Sequence, residues 1–81
     1  MQIITVVERD FRLCEDCRDR YIGGTPCVSF EGARELVYAH RERGNDISVE
    51  NYIENGTVYA ETSAETGEIV KEYYVKLLVS E

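Results

Sequence analysis

The sequence predicts a small α+β fold in which one helix packs on an antiparallel sheet. Three observations predict it: a β-branched segment at the N-terminus, helical periodicity after residue 28, and strand periodicity with turn signals after residue 46. Ile3, Ile4, Val6 and Val7 give the first segment the composition of a strand. A chain of 81 residues has room for one domain, which we assign to residues 1–81.

The predicted helix follows Ser29, a residue type that commonly caps helix N-termini. Residues at the spacing i, i+3, i+4 and i+7 then form one face of a helix that would pack on the sheet. This face comprises Ala33, Leu36, Val37 and His40. Gly44 has the residue type expected just after a helix ends.

A three-stranded meander is predicted after the helix. Asn55-Gly56 is a strong hairpin signal, and Thr66-Gly67 marks a second turn. Two-residue turns at these positions would pair Ile53 with Val58 and Val58 with Val75. This register turns those three side chains toward the helix. The predicted order is therefore an N-terminal strand, a cysteine-rich loop, the helix and the meander.

The cysteine-rich loop, residues 8–28, has no clear periodicity and needs something to order it. Cys14 and Cys17 have the spacing of a zinc knuckle, and Cys27 offers a third thiolate. His40 is the only histidine and is the candidate fourth ligand. These four residues predict a structural Zn²⁺ ion that staples the loop to the rest of the domain.

Other interpretations of these residues remain open. The helix rises about 16 Å between Ser29 and His40, so the loop would have to run back along it to share a metal. Asp10, Asp16 or a water molecule could replace His40 as the fourth ligand. A lone histidine on an apolar face is also typical of a hydrogen-bonded core residue, and a free cysteine packs as a small hydrophobic group. A redox C-x-x-C would begin a helix in a βαβ unit, which this pattern does not predict.

The net charge of −7 is unevenly distributed. Residues 46–81 hold eight acidic residues but only Lys71 and Lys76 as bases. This balance argues against direct binding of nucleic acid or of an anionic membrane, and it favours a protein with a basic surface as partner. The sequence has no apolar run near the roughly 20 residues of a membrane helix and no basic start typical of a signal peptide, so we expect a cytoplasmic protein.

The predicted register also defines an outward sheet face with two rows of side chains. One row is Tyr52, Tyr59 and Tyr74, and the other is Glu50, Glu61 and Glu72. Neighbouring carboxylates repel one another unless water or a basic partner surrounds them, whereas tyrosines are favoured in interfaces. We therefore predict that this face binds a partner. The alternative is a solvated face whose tyrosines reflect strand propensity alone.

The sequence carries no Ser-His-Asp pattern and no phosphate-binding loop, so we expect a protein that is not an enzyme. In its size, its acidity and its C-x-x-C with a further cysteine, the chain resembles the small phage-encoded anti-CRISPR proteins. The resemblance concerns the general character of the whole chain and includes no diagnostic motif. The resemblance implies an inhibitor that binds a basic surface of a Cas9-type nuclease in the host cytoplasm, as a zinc-containing type II-A member would. The alternative function is a small zinc-binding adaptor subunit of a larger intracellular complex.

Overall fold

Five strands and one helix form the fold, which we describe from a computed structural model for residues 2–23 and 27–80, with side chains to Leu78. The elements are β1 (Gln2–Asp10), a single 3-10 turn (Glu15–Cys17), β2 (Asp19–Tyr21), α1 (Phe30–His40), β3 (Asp46–Ile53), β4 (Gly56–Thr62) and β5 (Ile69–Ser80). The strands make one antiparallel sheet in the order β2-β1-β5-β4-β3. The predicted α+β class, single helix and meander are confirmed, and β2 is an additional strand within the cysteine-rich loop.

The helix begins where the sequence predicts. The Ser29 side chain accepts a hydrogen bond of 3.0 Å from the backbone N–H of Gly32, which satisfies a donor of the first turn. Ala33 and Val37 are fully buried against β1 and β5. The helix ends at His40, earlier than the position of Gly44 predicted. Arg41 leaves helical geometry, and its N–H donates the last helical hydrogen bond to the Val37 carbonyl. No helix in the described part of the chain is long and apolar enough to cross a membrane.

Alternate residues of each strand point toward α1 or away from it, and we call the two sides of the sheet the helix face and the open face. The core lies on the helix face, where Ile4 and Val6 of β1 and Tyr73 and Val75 of β5 are buried. Tyr59 of β4 extends this core. The helix packs mainly on β1 and β5, so the edge strand β3 is only partly covered: Ile47 packs against the core, whereas Val49 and Tyr52 are exposed.

The turn between β3 and β4 differs from the predicted one by two residues in register. Ile53 pairs with Gly56, so the turn residues are Glu54 and Asn55, and Asn55 adopts a positive φ of 62°. The Asn-Gly motif suggests that Gly56 is needed for a positive φ, but here glycine is needed because another strand lies very close. A Cβ atom at Gly56 would lie 2.0 Å from the carbonyl oxygen of Val75, so only glycine allows β5 to approach this closely.

Two irregularities in the ladders overturn the predicted orientation of β4. The first is a bulge at Glu50, between Val49 and Asn51. In a regular strand Val49 and Ile53 would share a face, but the bulge leaves Val49 on the helix face and Ile53 on the open face. The other lies after Glu61 and pairs Val58 with Tyr74 in place of Val75. A shift of one residue exchanges the two faces of a strand, so the prediction that Val58 faces the helix is wrong.

Candidate functional site

The structure divides the six residues predicted to bind a partner between the two faces of the sheet. Glu50, Glu72 and Tyr74 lie on the open face, whereas Tyr52, Tyr59 and Glu61 lie on the helix face. Tyr59 is only 8% exposed and Glu61 is fully buried, so neither can contact a partner in this fold. The two predicted rows therefore do not form. Tyr52 is 75% exposed, because α1 does not cover the edge of the sheet.

A chain of polar contacts crosses the open face from β2 to β5. The Arg9 guanidinium donates from Nε and Nη2 to the two carboxylate oxygens of Asp19, at 2.8 and 3.0 Å. Its Nη1 donates to the Tyr74 hydroxyl at 3.1 Å, and that hydroxyl donates to Glu72 at 2.7 Å. Burial, followed by the contact with Glu72, raises the pKa of Tyr74 to about 12. These contacts fix the Glu72 carboxylate on the open face.

Glu50 extends this chain to β3. The neighbouring Glu72 carboxyl, together with a small loss of hydration, raises the pKa of Glu50 to about 7. Ala60 lies beside Glu72 on β4, and its small side chain leaves room for the two carboxyls to meet. A shallow depression of ≈ 400 Å³ opens here. Its lining comprises Glu50, Asn51, Ile53, Val58, Glu72 and Tyr74. The charge of the depression therefore changes near neutral pH.

A second cluster of charges is buried on the helix face, around Glu8. The Glu8 side chain is 1% exposed, and its Oε1 accepts a hydrogen bond of 2.8 Å from Arg20. Its Oε2 lies 2.8 Å from Nε2 of His40 and 3.2 Å from Nζ of Lys71, close enough for ion pairs but without hydrogen-bond geometry. Burial alone would raise the pKa of Glu8, but the contacts with Arg20 and Lys71 outweigh it and lower the pKa.

Three further charged residues extend this cluster toward the solvent. We call the whole set the ionic cluster: Glu8, Asp10, Arg12, Arg20, His40, Glu42 and Lys71. Lys71 also lies 3.1 Å from Glu42, and Glu42 contacts Arg12, which in turn contacts Asp10. Arg12 and then Lys71 lower the pKa of Glu42 to about 2. Burial would lower the pKa of Lys71, yet Glu42 and Glu8 together raise it. The ammonium group is therefore held in its charged form between two carboxylates.

Glu61 occupies the neighbouring position on the helix face. One oxygen accepts a hydrogen bond from the Tyr73 hydroxyl, and the other accepts from Nδ2 of Asn45 at 2.7 Å and from the Glu42 N–H at 3.2 Å. Burial and then Glu61 raise the pKa of Tyr73. Because both oxygens of Glu61 are bonded to donors, this carboxylate anchors the segment after α1 to the sheet.

The sequence analysis missed this cluster, although β1 carries a signal for it. Glu8 and Asp10 continue the alternation of Ile4 and Val6, so they share the buried side of the strand. Charged residues in phase with apolar ones predict a buried ionic group that must find partners. The identity of those partners, Lys71 above all, depends on the pairing of β1 with β5 and is not visible in the local pattern.

The structure separates the four residues predicted to bind zinc. Cys14 and Cys17 lie together at the exposed 3-10 turn, where Cys17 lowers the pKa of the Cys14 thiol and Cys14 raises that of the Cys17 thiol. Cys27 instead bridges Ile4, with backbone hydrogen bonds of 2.9 and 3.0 Å. His40 contacts Glu8.

Cys27 and the C-x-x-C turn lie near opposite ends of β1. Cys27 bonds Ile4, whereas the C-x-x-C turn follows Asp10, six residues further along the strand, or about 20 Å. Within residues 2–23 and 27–80, no three His, Cys, Asp or Glu side chains come together to hold a metal ion. The zinc ion remains a prediction from the sequence.

The edge strand β3 forms the most acidic exposed part of the meander. Asp46 and Glu50 are exposed along it and Glu54 is exposed in the turn that follows, with Val49 and Tyr52 between them in sequence. We call these five residues the acidic edge. Val49 is 47% exposed and lies on the helix face like Tyr52, whereas Glu50 lies on the open face, so the acidic edge carries exposed apolar and acidic side chains on the two faces of one strand.

Comparison with models of protein families, with curated proteins and with solved structures finds no match to this chain.

Proposed function

We propose that this chain is a non-catalytic binding protein that holds a basic surface of a partner protein against the acidic edge. The observation that carries the proposal is the exposed Tyr52 on an edge strand that also carries exposed carboxylates. Tyrosine offers a large contact area at low entropic cost, and the carboxylates around it select a basic partner.

The charges of the second half support a basic partner. Lys71 is buried in the ionic cluster, so Lys76 is the one exposed base among residues 46–78. Five acidic residues of the same segment are exposed: Asp46, Glu50, Glu54, Glu65 and Glu68. A field of one sign speeds the approach of an oppositely charged surface.

Charge also argues against a second copy of this chain as the occupant. Edge strands have backbone N–H and C=O groups that can pair with another strand. Pairing β3 with itself would bring Asp46 and Glu50 close to the acidic residues of the other copy, and opposed like charges destabilise a sheet. A strand or surface rich in lysine and arginine meets no such repulsion.

The narrower form of the proposal is that the chain inhibits a Cas9-type nuclease by binding its basic nucleic-acid-binding surface. It is based on the resemblance to anti-CRISPR proteins. The second candidate is an adaptor that joins a larger intracellular complex without blocking it. Both use the acidic edge, and they differ in what the partner can still do. An inhibited partner loses DNA binding, whereas a partner joined by an adaptor retains it.

The test compares two variants with the same change in net charge. Asp46→Lys with Glu54→Lys reverses two charges of the acidic edge, and Glu65→Lys with Glu68→Lys reverses two in the β4–β5 loop. We expect the edge variant to bind a purified Cas9–guide RNA complex at least about tenfold more weakly, about 1.4 kcal/mol, and the loop variant to bind as the wild type does. Raised salt should slow association of the wild type.

Equal loss in both variants would show that the acidic edge is not the contact surface. If Cas9 is not bound, parallel capture from a bacterial lysate on wild-type, edge-variant and loop-variant columns tests the broader proposal. A specific partner should be retained by the wild type and the loop variant alone. A DNA-binding assay on the recovered partner then distinguishes an inhibitor from an adaptor.

A further inference from the structure

We propose that Cys14 and Cys17 form a redox-active dithiol that exchanges with small disulfides such as glutathione disulfide. This inference is independent of the proposed function, because it rests on the C-x-x-C turn and not on the acidic edge. The sequence alone favoured zinc for these residues, but in the structure only these two of the three cysteines lie together.

The backbone of the turn is compatible with a disulfide between Cys14 and Cys17. The N–H of Cys17 donates to the carbonyl of Cys14 at 2.9 Å, which closes a turn across the two intervening residues. The first and last Cα atoms of such a turn lie within about 7 Å, and disulfides join Cα atoms about 4.4–6.8 Å apart. The neighbouring Cys17 thiol also lowers the pKa of Cys14, which favours Cys14 as the attacking thiolate.

Local contacts hold the turn in place while its thiols remain accessible. Both cysteines are exposed. The Leu13 N–H donates to the Asp10 carbonyl at 3.1 Å, and Nε of Arg18 donates to the Leu13 carbonyl at 3.2 Å. The Arg18 carbonyl in turn accepts from the Asp10 N–H at 3.1 Å. The turn is thus fixed to the end of β1 on both sides, which favours a bridge within the turn over a bridge to another chain.

The exchange proceeds in two balanced steps. The thiolate of Cys14 attacks one sulfur of glutathione disulfide, a Cys14–glutathione bond forms, and one glutathione leaves as thiolate. The thiolate of Cys17 then attacks the Cys14 sulfur, the second glutathione leaves, and the Cys14–Cys17 bond remains. The protein loses two electrons and two protons, and one glutathione disulfide becomes two molecules of glutathione.

The test equilibrates the reduced full-length chain with glutathione and glutathione disulfide at a series of ratios. Free thiols are then alkylated with iodoacetamide in denaturant and the mass is measured. Cys14 and Cys17 should lose alkylation together, with the loss of two hydrogen atoms, while Cys27 is still alkylated. Cys27→Ser should oxidise at the same ratio as the wild type. Cys17→Ser should stop at the first step and carry one glutathione on Cys14.

Three results would overturn the inference. The first is a wild-type chain that keeps three free thiols at every ratio. The second is a disulfide that Cys27→Ser abolishes or that links two chains. The third is a bound zinc ion, measured on the protein as purified, that protects both thiols until a chelator is added. In that case the pair is a metal site and a second molecule supplies the remaining ligands.

Discussion

Replacing Lys71 by methionine should destabilise the fold strongly, because it removes the central cation of the ionic cluster. Methionine keeps most of the volume of the lysine stem but leaves Glu8 without its ammonium partner. Glu8 is 1% exposed and cannot turn to water, whereas Glu42 is 45% exposed and retains Arg12. The loss of folding stability should therefore come mainly from the buried Glu8 carboxylate.

The expected magnitude follows from these contacts. Removing one partner of a buried ion pair costs about 3–5 kcal/mol. Arg20 and His40 still contact Glu8 in the variant, so the lower end, about 3 kcal/mol, applies. A domain of this size unfolds with about 4–12 kcal/mol, and each kcal/mol corresponds to about 4–8 °C in Tm. The variant should melt roughly 12–24 °C below the wild type.

The pH dependence of this loss identifies Glu8 as its source. In the wild type the pKa of Glu8 lies below its ordinary 4.5, so its ionised form stabilises the fold above pH 4.5, and this contribution is lost as pH falls through the folded pKa. Without Lys71, that pKa should rise. The destabilisation should then be largest at neutral pH and shrink as the Glu8 carboxyl becomes protonated.

Urea unfolding of four proteins measures the coupling: wild type, Lys71→Met, Glu8→Gln and the double variant. In the Glu8→Gln background, Lys71→Met should cost about 1 kcal/mol or less, because the buried charge is already gone. Equal costs in both backgrounds, or a loss below about 1 kcal/mol in the wild type, would refute the assignment of Lys71 as the partner of Glu8.

Two further variants test the sheet. The raised pKa of Glu50, about 7, means that the folded state keeps a proton that the unfolded state releases near pH 4.5, so stability should decline between pH 5 and 8. Glu50→Gln should flatten this decline in urea unfolding, and an unchanged slope would exclude the shared proton. Gly56→Ala should cost about 1–3 kcal/mol, because its Cβ atom would meet the Val75 carbonyl. Gly32→Ala is the control, because a Cβ atom there would meet only the Ser29 side-chain oxygen at 3.2 Å, and thermal unfolding should rank it the milder change.

Local patterns sufficed for the elements whose structure depends on neighbours in sequence. Ser29 caps the helix, and the spacing of Ala33 and Val37 identifies its buried face. The β-branched run from Ile3 to Val7 lies in a strand. These are properties of one turn or one strand, so a single sequence contains the information for them.

The orientation of β4 could not be obtained in this way. Bulges at Glu50 and after Glu61 insert single residues into the ladders, and each changes which side chains share a face. Glu61 shows why the turn rules fail here. Its buried bonds to Tyr73 and Asn45 require it on the helix face, and an ideal two-residue turn at Thr66-Gly67 would have placed it outside. Contacts between distant segments decide the register.

The candidate site was likewise predictable only where it depends on local sequence. The acidity of the second half and an exposed Tyr52 were predictable from composition and alternation, and both are found on the edge strand. The burial of Tyr59 and Glu61 was not, because it follows from the register of β4. For the cysteines, spacing alone brought Cys14 and Cys17 together, while the bridge of Cys27 to Ile4 depends on the path of the loop.

The pairing of β1 with β5 also determines when this domain can fold. The two strands are the first and last of the described chain, and between them they provide half of the buried core cluster: Ile4, Val6, Tyr73 and Val75. During synthesis β1 has no partner along its longer ladder until β5 has left the ribosome, so the nascent chain exposes an apolar strand while the segment from β2 to β5 is made. Contacts of such long sequence separation make folding slow compared with a helical bundle of similar length. Charged Glu8, Arg9 and Asp10 at the end of β1 limit its tendency to aggregate meanwhile.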